Sequence, residues 1–232
     1  MRRFFFALLV LVVTAGSLGA QIRRQRTYAT GDPGVWFSAG VGGFTSTGVN
    51  DGRSGSRWDF GNSTNLEYRA TLEKAIDNGS SFGISGSWAH VPFAYSSNTP
   101  IPISPDVTGA RCALCDAHLD MLTLLVTFHS GSGQGFHQVV ELNGGVVAYR
   151  NLKQDSDGAA LAPSHGNLDP LFSIGYGLGY GFGNRVSLDF VPDYAIAIHE
   201  RSGLSNGVSN TNSMRSLRLA LRMGFGSHTV TR

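Results

Sequence analysis

Apolar and polar residues alternate with a period of two along most of the chain beyond about residue 34. The clearest segment is 172–182, where Phe, Ile, Tyr and Leu at even positions alternate with Ser173 and four glycines. Segments 186–198, 217–225 and 66–73 show the same period, with Asp, Glu or Arg on the polar side. This pattern predicts β-strands whose two faces meet different surroundings.

Four further segments follow the same rule less regularly, namely 35–44, 82–90, 118–128 and 136–149. In the third of these, Leu119, Met121 and Leu125 are apolar where the alternation requires polar residues. A β-bulge within 118–128 would restore the alternation, and we predict one there.

The links between these eight segments alternate in length. The long links are rich in Ser, Asn, Gly and Asp and lie near 45–64, 91–116, 150–168 and 199–214. The short links lie near 77–80, 129–135 and 183–185. This order is typical of an all-β, eight-stranded antiparallel transmembrane β-barrel with short periplasmic turns and long extracellular loops. An even strand number places both chain ends on the periplasmic side.

The turn after 66–73 contains Asn78-Gly79, which ordinarily indicates a two-residue hairpin loop. That loop would place Glu73, expected to face the lumen, opposite Ile84, expected to face lipid. A three-residue loop, Asp77 to Gly79 with Gly79 left-handed, instead aligns Leu72 with Ile84 and also Tyr68 with Trp88. We therefore predict the three-residue loop.

Residues 1–20 have the layout of a secretory signal peptide, with two arginines, an apolar run and small residues before the cleavage site. The cut is expected at 19 or 20. The remaining organisation is predicted as an N-terminal periplasmic segment at 21–33, the barrel at 34–228 and a C-terminal tail at 229–232.

Composition removes several classes of protein. The hydrophobic fraction of 41% is too high for a disordered chain. Without Arg2 and Arg3, sixteen of the eighteen basic residues remain against sixteen acidic residues, so the mature chain is formally neutral. Because its arginines do not cluster, the sequence predicts no nucleic-acid partner.

A soluble eight-stranded barrel of the lipocalin type would show the same alternation with its apolar face inward. The glycine-rich polar face of 172–182, the loop order and the signal peptide favour the membrane form with its apolar face toward lipid. Aromatic residues also fall near the predicted strand ends, as interfacial girdles do. The girdle residues are Phe37, Phe82, Trp88, Phe128, Phe136, Tyr180, Phe182, Tyr194 and Phe225.

The charged residues of the strands must then face the lumen, since each Arg at mid-depth on the lipid side costs about 2–4 kcal/mol. If Phe182 lies opposite Val186, then Asp189 lies opposite Gly179 and Asp193 lies opposite Gly175, which leaves room for arginine side chains. We further predict one register that pairs Asp189 with Arg222 and Asp193 with Arg218. The inward charges expected to form a salt-bridge network are Glu67, Arg69, Glu73, Glu141, Asp189, Asp193, Arg218 and Arg222.

With eight strands, glycine-aromatic segments such as 173–182 and a C-terminal amphipathic strand containing Phe225, the chain resembles the small OmpA/OmpX-type outer-membrane β-barrels. The resemblance covers roughly 34–228. It implies insertion by the barrel-assembly machinery, contact with outer-membrane lipids and location in the cell outer membrane. It implies no specific activity.

Cys112 and Cys115 lie in the second long link, and His118 follows. A thioredoxin-like motif would require a βαβ context, and haem attachment would require His at position 116. A metal site remains open, although only three local ligands are present and structural zinc needs four. A disulfide is favoured in an oxidising compartment, and no metal or other cofactor is predicted.

Support for catalysis is thin. His199, Glu200 and Ser202 lie close together in the last long link, but they do not alternate along one strand face. The other histidines are expected to be solvated or interfacial; they are His90, His129, His137, His165 and His228.

The favoured function is non-enzymatic, a structural or surface-interaction role for a monomer with a side-chain-plugged lumen. Any extracellular ligand would bind through the long loops. A narrow channel for small or lipophilic solutes is the alternative, and an outer-membrane lipid hydrolase is a remote one.

Overall fold

The structure is a computed structural model, and it describes residues 32–61, 63–77, 79–97, 107–165 and 167–227. The predicted signal peptide at 1–20, nearly all of 21–33, the tail at 229–232 and His228 lie outside the described residues.

The described chain forms ten β-strands. Their bounds are β1 Val35–Ser46, β2 Val49–Asp51, β3 Ser56–Asp59, β4 Asn65–Ala75, β5 Ser80–Ser97, β6 Cys115–Ser130, β7 Gly135–Gln154, β8 Leu168–Gly181, β9 Val186–Ile198 and β10 Thr211–Phe225. Within the described part of the chain, no helix is long and apolar enough to cross a membrane.

Eight of these strands form a closed antiparallel barrel in the order β1, β4, β5, β6, β7, β8, β9 and β10. The barrel closes because β10 pairs with β1 along its length, from Val35 opposite Phe225 to Ser46 opposite Met214. The predicted all-β, eight-stranded antiparallel barrel is therefore confirmed, with short turns at one end and long loops at the other.

The two short strands, β2 and β3, form a hairpin inside the first long link. This hairpin continues the barrel wall outward, because β3 pairs with the outer end of β5 from Ser56 opposite Ser97 to Asp59 opposite Ala94. Strand β5 also extends to Ser97 and β7 to Gln154, into links that the sequence pattern assigned to loops. The wall therefore rises beyond the apolar band of the barrel.

Two turns have the predicted register. After β4, Leu72 pairs with Ile84 and Tyr68 with Trp88, as expected for a three-residue loop. The Asp77 side chain accepts the backbone N–H groups of Gly79 and Ser80 at 2.9 and 2.7 Å. After β8, the Phe182 amide donates to the Val186 carbonyl at 2.9 Å, and Gly179 pairs with Asp189.

The two faces of the wall have the predicted composition over the apolar band. Outward side chains such as Ile84, Leu124 and Leu178 are more than half exposed, whereas the inward charges are mostly buried. Phe172 on β8 and Phe182, the residue after β8, mark the two edges of the band at this strand. Ten residues of tilted strand rise about 25 Å, which matches the apolar height of outer-membrane barrels.

The prediction of a bulge in the strand 118–128 is wrong. Strand β6 alternates without interruption there, and its inward positions include Leu119, Met121 and Leu125, all buried. The irregularity lies in the partner strand, where β7 has one extra residue near Asn151, whose φ is 53°. These apolar side chains point inward because the outer half of the lumen is a packed hydrophobic core.

Candidate functional site

The lumen is filled by charged and polar side chains in its inner, short-turn half. All eight charged residues predicted to face inward do so: Arg69, Glu73, Glu141, Asp189, Arg218 and Arg222 are buried, and Glu67 and Asp193 are half-buried. Their partners, however, differ from those expected.

Arg222 of β10 contacts Glu73 of β4 by reaching over the inner face of β1. Its Nη2 lies 2.7 Å from Glu73 Oε2 and donates to Ser81 Oγ at 2.7 Å. The indole ring of Trp36, on β1, lies 4.1 Å beneath the guanidinium carbon. The ion pair, hydroxyl and aromatic ring together hold this arginine in one place.

Arg218 lies four residues from Arg222 on β10, toward the outer end, and reaches Glu141 of β7. Glu141 also lies 3.4 Å from Nδ1 of His129, whose Nε2 is 3.0 Å from the Gly131 carbonyl oxygen. Arg218 and Glu141 are both more than 90% buried. This contact crosses the barrel interior between strands that are not neighbours.

The predicted pairs Asp189–Arg222 and Asp193–Arg218 are wrong. Asp189 pairs with Ala220 and Asp193 with Ser216, so β10 is shifted by two residues from the expected register. A shift of two keeps every side chain on its face, and alternation therefore could not distinguish the two registers.

Asp189 instead faces His137. Its Oδ1 lies 3.7 Å from His137 Nε2, although β8 runs between their two strands. The contact is allowed by Gly179 of β8, since a Cβ there would lie 2.3 Å from His137 Nε2 and 2.6 Å from Asp189 Oδ1. The glycine face predicted to make room for arginines makes room for this histidine.

A belt of polar side chains crosses six consecutive strands above these ion pairs. Arg69 Nη2 donates to Ser85 Oγ at 3.2 Å, and Ser85 Oγ lies 2.9 Å from Thr127 Oγ1. Thr127 Oγ1 lies 2.8 Å from Asn143 Oδ1. The belt continues as Asn143 Nδ2 donates to Ser173 Oγ at 2.9 Å and Ser173 Oγ donates to Asp193 Oδ2 at 3.3 Å.

The outer half of the interior is a hydrophobic core rather than a channel. Trp58 of the β2–β3 hairpin packs edge-on against Tyr149 with ring centroids 5.5 Å apart. The Tyr95 hydroxyl donates to the Ala162 carbonyl at 2.8 Å, and Leu119 and Val147 are fully buried beside them. The interior is thus closed twice, by ion pairs near the inner end and by apolar packing near the outer end.

A cavity of about 50 Å³ lies between these two closures. Its polar side is lined by Glu67, Arg69, Ser87, Thr123, Ser173, Asp193 and Ser216. Its apolar side is lined by Phe44, Ala89, Met121, Leu125, Leu171, Ala195 and Met214.

His199 ties together three outer segments. Its Nδ1 lies 2.9 Å from Asp169 Oδ1 on β8, and its Nε2 lies 3.4 Å from Asp51 Oδ1 on β2. Burial by itself lowers the pKa of His199, but its hydrogen bonds with Asp169 and Asp51 outweigh burial and raise that pKa to about 9. Burial likewise raises the pKa of Asp51, but its hydrogen bonds with His199 and Ser54 lower it overall.

This arrangement bears on the weak catalytic hypothesis. Both ring nitrogens of His199 face carboxylates, so neither is directed at the Ser202 hydroxyl. Glu200 pairs instead with Arg53 at 3.4 Å. Among the described side chains, His199 therefore acts as a charged link between loops.

The described histidines that were expected to be solvated or interfacial divide into two groups. His90 and His165 are exposed, as predicted. The expectation is wrong for His129, which is 1% exposed, and for His137, which is largely buried. Both lie at the inner rim, where glycine-rich turns leave space for a side chain to fold over the lumen.

The predicted girdle residues all face outward. At the inner end, Phe136 and Tyr180 have ring centroids 5.0 Å apart, and Tyr180 and Phe182 are 5.2 Å apart. At the outer end, Trp88 stacks on Tyr68 at 6.0 Å. Phe37, Phe82, Phe128, Tyr194 and Phe225 complete the outward-facing aromatic set.

Cys112 and Cys115 lie at disulfide distance, with their sulfurs 1.97 Å apart. The Cys112 carbonyl accepts hydrogen bonds from the Ser97 amide and hydroxyl, at 3.1 and 2.8 Å. In the ranges that the structure describes, no group of three or more His, Cys, Asp or Glu side chains is arranged to hold a metal ion.

Comparison with known proteins finds likeness in structure alone. No protein-family model and no curated protein matches the sequence. The structure is similar to Neisserial surface protein A (NspA), with a TM-score of 0.50 and 12% identity over 84% of this chain and 99% of that one. It is also similar to Ail, the attachment invasion locus protein of Yersinia pestis, with a TM-score of 0.43 and 10% identity over 85% and 100% of the two chains.

A third similar structure is OprG from Pseudomonas aeruginosa, with a TM-score of 0.38 and 13% identity over 85% of this chain and 97% of that one. The NspA match agrees with the number of strands, the closure of the barrel and its outward apolar band. The chain has the fold of the small eight-stranded outer-membrane β-barrels, the OmpA/OmpX-type architecture that the sequence resembles.

Proposed function

We propose that this chain is a monomeric, non-enzymatic protein of the cell outer membrane with a plugged lumen and a structural or surface-interaction role. The observation that carries the proposal is the contact between Arg218 of β10 and Glu141 of β7, which crosses the interior between strands three positions apart around the barrel. An eight-stranded barrel is just filled by its own side chains, so one such contact closes the cross-section.

The second closure supports the same function. A solute that passed the ion pairs would meet a hydrophobic core containing Leu119, Val147 and Tyr149, all buried. The cavity between the closures has a volume of only about 50 Å³. A narrow channel would require both of these packed layers to move.

The outer end of the barrel supports an interaction role. Three features connect the described segments of this end to one another. They are the pairing of the β2–β3 hairpin with β5, the contacts of His199 with Asp51 and Asp169, and the Cys112–Cys115 pair. We expect outer-membrane lipids to surround the apolar band, the barrel-assembly machinery to insert it, and any extracellular ligand to contact this outer end.

Planar-bilayer recording of the refolded protein tests the plugged lumen, and protein-free bilayers give the baseline. We expect no stepwise conductance from the wild-type protein. Reproducible single-channel steps would instead support the channel alternative. Release of fatty acid from outer-membrane lipid that is lost in His199→Gln would support the hydrolase alternative.

Membrane location is tested separately. In a Gram-negative host, cell fractionation and labelling of intact cells with a membrane-impermeant amine reagent should find the protein in the outer membrane with Lys153 accessible. Lys153 lies exposed on the outer end of β7. Recovery of the protein in the soluble fraction would contradict the proposal.

A further inference from the structure

Two histidines meet on the outward face of the barrel wall, just beyond the outer aromatic girdle. His90 is the next outward position after Trp88 on β5, and His118 lies on the neighbouring strand β6. The centroids of the two imidazole rings are 5.1 Å apart. Both side chains reach the surface, with exposed fractions of 53% for His90 and 30% for His118. The pair is therefore separate from the side chains that close the lumen.

A carboxylate holds each ring at the same nitrogen. His90 Nδ1 lies 3.0 Å from Asp120 Oδ1, and His118 Nδ1 lies 2.6 Å from Asp155 Oδ1. Asn151 Nδ2 also donates to Asp120 Oδ2 at 2.7 Å, which holds that carboxylate in place. Because an ionised carboxylate only accepts hydrogen bonds, each neutral ring has its proton on Nδ1 and an unprotonated Nε2. Among the described residues, neither Nε2 has a hydrogen-bond partner.

The same arrangement surrounds histidines that bind metal ions. A metal-bound imidazole usually donates its other ring N–H to a carboxylate, which fixes the tautomer and makes the free nitrogen more basic. Two imidazoles bound through Nε2 to one tetrahedral ion, at about 2.1 Å each, have ring centroids about 5 Å apart. The spacing of His90 and His118 matches that value. A simple contact between two surface histidines needs no carboxylate behind either ring.

The charges around the two histidines allow a cation to bind. Arg150 and Lys153 of β7 lie opposite Asp120 and His118. The carboxylates of Asp120 and Asp155 balance these two cations, so the site has no net positive charge that would repel a metal ion. Neutral imidazole is a good ligand for Zn²⁺, Cu²⁺ and Ni²⁺, whereas Mg²⁺ and Ca²⁺ prefer oxygen ligands. The two nitrogens therefore favour a transition metal.

We propose that His90 and His118 bind a divalent transition-metal ion such as Zn²⁺ through their Nε2 atoms. Water completes the coordination, because the described residues contain no group of three or more His, Cys, Asp and Glu side chains that could hold the ion. The bound ion joins β5 to β6 on the outside of the wall, beyond the apolar band. This site goes beyond the proposed function and does not depend on whether the lumen conducts.

Calorimetric titration of the refolded protein with ZnCl₂ tests the site, with Zn²⁺ alone as the probe. The protein has no affinity tag and is kept in an uncharged maltoside detergent, so that neither a tag nor a phosphate headgroup binds the ion. We expect saturable binding of one Zn²⁺ per chain and no binding of Mg²⁺ under the same conditions. In ¹⁵N NMR spectra, Zn²⁺ should shift the Nε2 resonances of His90 and His118 much more than their Nδ1 resonances.

Four variants connect the ion to these residues. Asp120→Asn keeps both nitrogen ligands and removes only a positioning carboxylate, so it should weaken Zn²⁺ binding by about tenfold. His90→Gln and His118→Gln each remove a ligand and should weaken binding by more than Asp120→Asn does. His165→Gln removes an exposed histidine elsewhere at the outer end. It is the matched control and should leave the affinity for Zn²⁺ unchanged.

Each contrary result bears on the metal site alone. The proposal is overturned if the folded wild-type protein shows no saturable Zn²⁺ binding, or if His90→Gln and His118→Gln bind Zn²⁺ as tightly as the wild type. It is also overturned if Zn²⁺ shifts the Nδ1 resonances instead of the Nε2 resonances, because the ion would then bind at the carboxylate side of the rings. Bilayer recording and cell fractionation still test the proposed function independently of these results.

Discussion

Arg218 of β10 and Glu141 of β7 form an ion pair although two strands, β8 and β9, separate theirs along the barrel wall. The contact therefore spans the interior instead of linking neighbouring strands. His129 approaches the same carboxylate from β6, at 3.4 Å. Residues from three strands thus meet at one point, which makes their contributions to stability interdependent.

We predict that Arg218→Ala destabilises the refolded protein by about 3–5 kcal/mol, because it leaves the Glu141 carboxylate buried without its cation. The double variant Arg218→Ala/Glu141→Ala should lose less than the two single losses combined. Urea unfolding followed by tryptophan fluorescence measures these changes. Arg215→Ala, an exposed outward position on the same strand, is the control and should change stability by no more than about 0.5 kcal/mol. Strictly additive losses in the cycle would contradict the pairing.

The space above Gly179 is needed by two other side chains. In Gly179→Ala, the new Cβ would lie 2.3 Å from His137 Nε2, so that side chain must move. We expect a loss of about 1–3 kcal/mol, typical of overpacking. Gly183→Ala is the matched control, because a Cβ there meets nothing within 4 Å. Equal urea midpoints for the two variants would show that the close approach is unimportant.

The charge on His199 should stabilise the outer end over a defined pH range. Its pKa is raised from 6.5 to about 9, so the folded state binds this proton more tightly than the unfolded chain does. The stabilisation is therefore complete below about pH 6.5, and it is lost as the pH rises through about 9. A shift of this size corresponds to about 3 kcal/mol.

The measurement compares wild-type protein with His199→Gln from about pH 6 to about pH 10. The difference between their urea midpoints should be largest near pH 6 and should shrink toward pH 10, since only the wild type has this proton to lose. Other groups titrate in both proteins and cancel in the difference. A difference that stays constant with pH would rule out a charged His199.

An arginine on the lipid face tests how the barrel meets its surroundings. Leu124 is 61% exposed, midway along the apolar band of β6. Leu124→Arg should cost about 2–4 kcal/mol for protein refolded into lipid vesicles. Leu114→Arg places the same charge at a position 74% exposed in the outer loop and should be nearly neutral. If both variants refold with equal stability, lipid does not contact Leu124.

The sequence predicted those registers that short turns determine. The Asp77–Gly79 loop and the turn from Phe182 to Val186 each hold two adjacent strands, and both registers are as expected. Alternation then assigned the faces correctly over the apolar band. These features depend on residues close together in the chain, so local patterns contain the necessary information.

The register of β9 and β10 was missed because a long loop joins them. Residues 199–210 impose no register, and charge pairing between neighbours was the only local criterion available. The actual register is the one in which β10 pairs with β9 and β1 at once. Arg218 and Arg222 then reach acids on other strands, which no pairwise rule between adjacent strands would find.

The inward apolar residues of β6 were misread for a related reason. A barrel with a polar lumen along its whole length would require polar side chains at Leu119 and Met121. The side chains that fill the lumen are polar in its inner half and apolar in its outer half. Leu119 and Met121 pack in the outer hydrophobic core. Strands β2 and β3, at three and four residues, are too short to produce a periodic signal, although Trp58 of β3 anchors that core.

The core of the outer half has a consequence for recognition. Because Trp58, Tyr95 and Tyr149 hold the hairpin and the strand ends from inside, the backbone beneath the outer surface is ordered before any encounter. A molecule that docks on the hairpin and these strand ends does not need to order them first, so little of that contact energy is lost to ordering. Association would then resemble rigid-body docking, with selectivity set by shape and with variants changing the dissociation rate more than the association rate.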